Sequence, residues 1–359
     1  MDKAGISRLY HIPILSKALD ILEYLQAQTR SASLEELYQH TQFSKTTVYR
    51  ILKTLEHRGY LAHQEDGRYR LVSRPSKLRF GFAGQSGELP YSQAVTASLT
   101  EAAVSSGVEL LVLDNEYDAQ SALRNAERLV RERVDLAIEF QIDHGVAPII
   151  GDKFAAAGIP LIAVEIPHPH AIYFGVDNYR VGYAAGEFLG QYAKKKWKAQ
   201  VERVLGLDIE EAGSLVQGRI TGAFEGIRQV LPNIPAERFI RLNARGLKEK
   251  SYVLTLEFLR RHPKDRGILI AAADDTSALG ALRAVRQQKR EKHVAIVGQD
   301  AIPDAIEEMR VEGSALIASV SHEVQTYGPR LMQVGLALVR GQHVAPYHYA
   351  NHKVMTKDS

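Results

Sequence analysis

The chain reads as an α/β protein: a small helical head followed by a body of two parallel-sheet lobes. Three observations predict this. First, 45% of its 359 residues are apolar and 24% charged, the balance of an ordinary globular chain with room for two or three domains. Second, charge is uneven. Residues 1–79 hold 13 Lys and Arg against 8 Asp and Glu (+5), and the other 280 hold 32 against 34 (−2), so a basic head sits on a nearly neutral body. Third, from Leu78 onward short apolar runs alternate with helical periodicity, the pattern of βαβ units.

Composition also narrows the function classes. There are no cysteines, which removes disulfides and thiolate metal sites. No apolar run approaches the ~18 residues of a membrane span. The N-terminal stretch MDKAGISRLYHIPILSKALD is interrupted by Pro13 and has no small-residue cleavage site. It therefore does not read as a signal peptide, and the expected location is the cytoplasm.

Residues 13–71 predict three helices and a hairpin. After Pro13 and Ser16, the residues Ala18, Leu19, Ile21, Leu22 and Leu25 suit one helical face. Ser33 caps a second helix, with Glu36 at the capping-box position. Ser44 caps a third, whose buried stripe is Val48, Ile51, Leu52 and Leu55 and which Gly59 ends. Asp66-Gly67 then turns a hairpin. The outer face of the third helix offers Ser44, Lys45, Thr46, Thr47, Tyr49, Arg50 and Lys53. Short hydroxyls and Arg reach base edges in a major groove, and cations reach phosphates. Arg68 and Arg70 alternate with Tyr69 and Leu71, and are expected to point out of the hairpin toward DNA.

The run LSKALDILEYL…SLEELYQHTQFSKTTVYRILKTLEHRGYL…GRYRL resembles the winged helix-turn-helix of IclR-type regulators over about 60 residues. The resemblance implies operator DNA as partner, bound through the helix that begins at Ser44. The signal domain usual in that family does not follow. The head is placed at residues 1–71, a linker at 72–77 around Pro75, and the body at 78–359.

The body shows no Walker lysine loop, no nucleophile elbow and no HExxH. FGFAGQSGELP lacks dinucleotide spacing. His168-Pro169-His170 reads as a loop after a strand, and Lys194–Lys198 as a helix C-terminus favoured by the dipole. Neither a cofactor nor a metal is expected. Ligands of parallel sheets bind beyond the carboxyl ends of the strands, and those ends carry Gln85, Glu165, Asp177, Asp274 and Asp300.

LVLDNEYDAQSALRNAERLV, AAGIPLIAVE, YFGVDNYRVGYAAGEFLGQY, GSLVQGRITGAFEGI, AAADDTSALGALRAV and AIVGQD follow one another in order. They resemble the type I periplasmic sugar-binding proteins, whose fold also forms the effector core of LacI-type repressors. The resemblance implies two Rossmann-like lobes on a multi-strand hinge. The first takes about residues 78–176 and 322–344, the second about 177–321 and 345–359. It implies ligand contacts at Gln85, Tyr91 (a stacking wall), Glu165, Arg219, Asp274, Asp300 and either His322 or Ser321. Leu89, Ile166 and Ser92 depart from the ribose-type pattern, which argues against ribose.

Glu165, Asp274 and Asp300 face only Arg219. Desolvated like charges are costly, so a neutral sugar or polyol, which offers hydroxyl donors, fits better than an anion. The expected function is a sugar-responsive DNA-binding regulator, a homodimer with no membrane partner and no enzymatic activity. A solute-binding protein that delivers sugar to a transporter is the alternative. A glycosidase working through Asp274 and Asp275 is disfavoured, because adjacent residues leaving a strand point to opposite sides. Asp274 is expected to face the cleft and Asp275 to cap the following helix.

Overall fold

The computed structural model describes residues 12–28, 31–41, 43–64, 66–72 and 78–359. The chain divides into two units, residues 1–77 and 78–359. Of the expected linker, only Val72 lies among the described residues.

In the first unit, α1 (Pro13–Gln28), α2 (Leu34–Thr41) and α3 (Lys45–His57) precede the strands β1 (Leu61–His63) and β2 (Tyr69–Leu71). Pro13 opens α1, where its fixed φ suits the first turn and its missing N–H leaves no bond unmade. Ser33 and Glu36 close a capping box: Ser33 N–H donates to Glu36 Oε2 at 2.7 Å, and Glu36 N–H to Ser33 Oγ at 3.2 Å. Ser44 Oγ accepts from Thr47 N–H at 3.2 Å and caps α3. Ile21, Leu25, Leu37, Val48, Leu52 and Tyr69 close the core. Leu19, expected on the buried face of α1, is 48% exposed. At 3.6 residues per turn it lies roughly 200° from Ile21, so the two cannot share a face.

The second unit holds both lobes. In the first lobe, β3 (Arg79–Gly84), α4 (Pro90–Ser105), β4 (Glu109–Asp114), α5 (Ala119–Arg131), β5 (Leu136–Glu139), α6 (Ala147–Ala156), β6 (Leu161–Val164) and β7 (Ala171–Gly175) alternate. The second begins with α7 (Asn178–Trp197), β8 (Arg203–Asp208), α8 (Ser214–Val230), β9 (Phe239–Asn243) and α9 (Lys248–Arg261). It continues with β10 (Ile268–Ala272), α10 (Asp275–Gln287), β11 (Val294–Asp300), α11 (Pro303–Met309) and β12 (Leu316–Ser321). The helix α12 (Tyr327–Val339) and the strand β13 (Tyr347–Tyr349) return to the first lobe, and β14 (Lys353–Met355) to the second.

Each lobe is a six-stranded sheet. The orders are β13-β7-β6-β5-β3-β4 and β14-β12-β11-β10-β8-β9. All pairs are parallel except β12 with β14. Central strands such as Leu136–Glu139, Leu161–Val164 and Ile268–Ala272 are buried throughout, because helices cover both faces of a parallel sheet. β13 pairs with β7, Tyr347 opposite Tyr173. The last crossing between lobes therefore follows Tyr349, not residue 344. The three hinge crossings follow β7, β12 and β13, which all lie at or next to one edge of their sheets.

Local sequence positions the cleft floor. A Cβ on Gly182 of α7 would lie 1.9 Å from the Arg219 carbonyl oxygen of α8, and one on Gly222 would lie 2.1 Å from the Tyr179 carbonyl oxygen. Only glycine lets these two helices approach backbone to backbone. That approach carries Arg219 into reach of Asn178 and Glu165.

Candidate functional site

On the head, Ser44, Lys45, Thr46, Tyr49, Arg50 and Lys53 are exposed and Thr47 is half-buried. Lys45 Nζ lies 2.5 Å from Glu35 Oε2, and Lys53 Nζ 2.8 Å from Glu56 Oε2. Exposed pairs of this kind are weak and screened by salt, so phosphate can displace them. Arg70 is exposed, but Arg68 is not the outward arginine the alternation predicts. Its Nη2 donates to the Ser31 carbonyl at 2.8 Å and to Glu36 Oε2 at 2.7 Å. Arg68 precedes the paired part of β2, where alternation no longer governs direction, and the carboxylate of the α2 capping box captures it.

In the body, one cleft between the lobes collects most of the expected ligand residues. The first lobe lines it with Gln85, Tyr91, Tyr117, Phe140, Gln141 and Glu165. The second contributes Arg219, Gly246, Asp274 and Asp300. Glu165 directly follows β6 and Asp300 ends β11, at the carboxyl ends of equivalent strands. Both hold left-handed backbone, at φ +64° and +100°. Such strain in non-glycine residues gathers where surrounding structure forces a side chain into a site.

Glu165 and Arg219 form a buried ion pair across the cleft floor, Arg219 Nη2 donating to Glu165 Oε2 at 2.9 Å. Arg219 Nε donates to Asn178 Oδ1 at 2.7 Å and Nη1 to the Ala273 carbonyl at 3.0 Å. Burial works against the guanidinium charge, while Glu165 and Asp300 sustain it and leave its pKa above the ordinary value. The other Glu165 oxygen accepts from Tyr327 Oη at 2.6 Å, and Tyr91 Oη donates to Tyr327 Oη at 3.0 Å. Tyr91 is thus held by its hydroxyl while its ring lines the cleft, edge-on to Phe140 at 6.2 Å between centroids.

Asp300 is half-buried, its side chain largely covered, and its Oδ1 has no hydrogen-bond partner. Burial raises its pKa well above the usual carboxylate range. His322 Nδ1 lies 3.4 Å away, and His322 Nε2 lies 3.2 Å from Gln299 Oε1. Burial pushes the His322 pKa well down, so the ring is neutral. His322 is fully buried behind Tyr91 and Asp300 instead of lining the cleft. Ser321 Oγ accepts from Glu323 N–H at 3.2 Å and is likewise not in the lining.

The two adjacent aspartates part company as expected, but the helix cap falls to Asp274 and not to Asp275. Asp274 lines the cleft and is itself the N-cap of α10, its Oδ1 accepting from Ser277 N–H at 2.6 Å. Asp275, expected to be the cap, already lies in the first helical turn. Its carboxyl is fully buried, accepting from Ser319 Oγ at 2.8 Å and from Ile302 N–H at 3.0 Å. Burial lifts its pKa to about 8. The strand ends two residues before Asp274, which leaves Asp274 extended (φ −150°, ψ 166°) and able to fold its carboxyl onto the helix start.

Other candidates lie elsewhere. Asp177 caps α7 through Arg180 N–H. His168 Nδ1 bonds the Ile166 carbonyl at 2.8 Å, and His170 sits on the surface against Asp152. Lys194–Lys196 occupy the last turn of α7, as expected. Sequence reasoning missed Tyr117, Phe140, Gln141, Gly246 and Tyr327. Phe140 and Gln141 directly follow β5, so the strand-end rule could have found them. Tyr327 and Gly246 carry no local signal.

Residues 80–343 match the periplasmic binding protein domain family, and residues 14–65 match the IclR helix-turn-helix domain. No curated protein matches the chain. Solved structures share the body's fold. One is a periplasmic solute-binding protein of Actinobacillus succinogenes with bound D-allose: 20% identity, TM-score 0.68, covering 79% of this chain and 98% of that one. Another, from Bacillus halodurans with bound myo-inositol, gives 18%, 0.67, 80% and 97%. A third, from Mycobacterium smegmatis with bound glycerol, gives 20%, 0.70, 79% and 95%. With the family match spanning the two lobes and their cleft, the chain belongs to the periplasmic binding protein domain family, joined here to an IclR helix-turn-helix head.

Proposed function

We propose that the protein is a cytoplasmic, homodimeric transcription regulator whose DNA affinity changes when a neutral sugar or polyol closes the two lobes. The carrying observation is the donor and acceptor balance of the cleft: the carboxyls of Glu165, Asp274 and Asp300 against Arg219, whose Nε, Nη1 and Nη2 each already donate to the protein. An anionic ligand would meet two further carboxyls and a spent cation. Hydroxyl groups instead donate to Asp274 and to the unpaired Asp300 oxygen. The D-allose, myo-inositol and glycerol of the similar structures are ligands of this class.

The head supplies the output. Its exposed hydroxyls, Arg50 and Arg70 suit base edges and phosphates. Two heads in a dimer match operator half-sites about 34 Å apart or a multiple of that. The effector shifts DNA affinity only as far as it prefers one lobe arrangement over the other. Catalysis is not part of this reading, since Asp274 and Asp275 face apart and do not flank a common ligand.

The test is a thermal-shift screen of D-allose, myo-inositol, glycerol and their phosphates. DNA binding to the region upstream of the protein's own gene is then measured with and without each hit. A neutral hit that alters DNA affinity is expected. Stabilisation only by the phosphates, or turnover of the sugar, overturns the reading.

A further inference from the structure

We propose that Tyr117 is the latch of the effector cleft and limits the effector to a single sugar ring. This rests on the reading of the cleft as a polyol site and adds how it closes and what size it admits. Tyr117 lies in the loop after β4, the sheet edge farthest from the hinge strands β7 and β13. Arg245 and Gly246 follow β9, which is the edge farthest from the hinge in the other sheet. Tyr117 Oη donates to the Arg245 carbonyl at 2.8 Å, joining the two lobes at the end of the cleft that opening separates most.

Both sides of this contact are built at a conformational cost. Glu116 and Tyr117 hold left-handed backbone in succession (φ 54° and 55°), and so do Arg245 and Gly246 (φ 57° and 69°). Successive non-glycine residues in that region need external bonds to hold them. Glu116 N–H donates to Asp114 Oδ1 at 2.8 Å, and Tyr117 N–H to the carbonyl of Gln85, itself a cleft residue, at 2.9 Å. Across the cleft, a Cβ on Gly246 would lie 2.6 Å from Tyr117 Oη and 2.9 Å from Asp274 Oδ2. Glycine is what lets the ring seat there. A second closure contact stands beside it: His144 N–H donates to the Glu211 carbonyl at 2.8 Å, with the His144 ring 2.7 Å from where a Cβ on Gly213 would be.

The Tyr117 hydroxyl gives its one proton to the Arg245 carbonyl, so it does not donate to a ligand. Its ring, lining the cleft at the end away from the hinge, forms the wall against which a substituent on a bound ring would collide.

The test uses the full-length chain, which has no cysteine of its own. Spin labels are placed at Arg128→Cys on α5 and Arg260→Cys on α9, both exposed. Distances between lobes are compared for the parent protein, Tyr117→Phe and Tyr117→Ala, without ligand and with glucose, galactose, maltose and lactose. Without ligand, Tyr117→Phe is expected to shift the population toward the longer separation. In titrations it should weaken monosaccharide binding by about 2- to 10-fold, the worth of one hydrogen bond. Tyr117→Ala should erase the preference for a monosaccharide over its disaccharide.

Identical ligand-free distance distributions in all three proteins overturn the latch, whatever sugar binds. A parent protein that binds disaccharides as tightly as monosaccharides overturns the size limit. If no sugar changes the parent's distances or stability, the polyol reading fails, and the ligand-free comparison still decides the latch.

Discussion

The two walls of the cleft are built from different chemistry. The first lobe supplies every aromatic ring of the lining, Tyr91, Tyr117 and Phe140, with one charge, Glu165. The second supplies the other three ionisable side chains, Arg219, Asp274 and Asp300, and no ring. An aromatic wall offers contact to a sugar face with little regard to hydroxyl pattern, and its burial is favourable by itself. A wall of carboxyls reads hydroxyls one by one, but each charge taken from water must be compensated. On the proposed reading, the first wall gives breadth and the second gives discrimination at a cost in stability.

The largest break in that comparison comes at the floor, where the walls meet. Arg219→Ala leaves Glu165 buried beside Tyr327 without its ion partner. Losing one member of a buried pair costs about 3–5 kcal/mol, and urea unfolding should show it. A loss below 1 kcal/mol would mean that the hydroxyls of Tyr327 and Tyr91 hold Glu165 without the guanidinium.

Outside the walls, Glu139 in the first lobe and Asp275 in the second are carboxyls that are fully buried. Burial lifts each pKa to about 8. The native state then holds protons that the unfolded chain has released above pH ~4. Stability is therefore expected to fall as pH rises from about 4 toward 8, then to level off. Glu139→Gln and Asp275→Asn should each flatten that slope in melting curves taken across the range. A slope unchanged in both variants contradicts the protonated state.

The smallest effects separate the walls most cleanly. Asp274→Ala removes a cap worth about 0.5–2 kcal/mol and a ligand contact together, so stability and effector affinity should drop in step. Tyr91→Phe keeps the ring and loses hydroxyl bonds, for about 1 kcal/mol or less in affinity. Calorimetric titration with the effector found by the screen checks both. Equal losses for the two variants would erase the distinction between the walls.

Much of this was legible from local pattern. The capping box at Ser33, the cap at Ser44 and the stripe through Val48, Ile51, Leu52 and Leu55 need only neighbours within one or two turns. The strand-end rule led to Gln85, Glu165, Asp274 and Asp300, which do line one cleft, and to Asp177, which instead caps α7. Arg68 was misread because its partners, Ser31 and Glu36, lie more than thirty residues away. Asp274 faces the cleft as expected, but it also takes the cap expected of Asp275, because a one-residue difference in where β10 ends decides which carboxyl meets the helix start.

By itself the sequence determined the order of elements, the division into head and body, and the residue types at the strand ends. These follow from periodicity and caps, which act over a few residues. Tertiary structure alone decided that Tyr327 would hold Glu165, that His322 would sit behind Asp300, and that Tyr117 would seat on Gly246. Those contacts join residues from 22 to 162 positions apart. Only the Tyr117 contact crosses between the lobes, at the far edges of two sheets of equivalent strand order; the other two join elements of one lobe that meet only when it folds, and no local pattern encodes either.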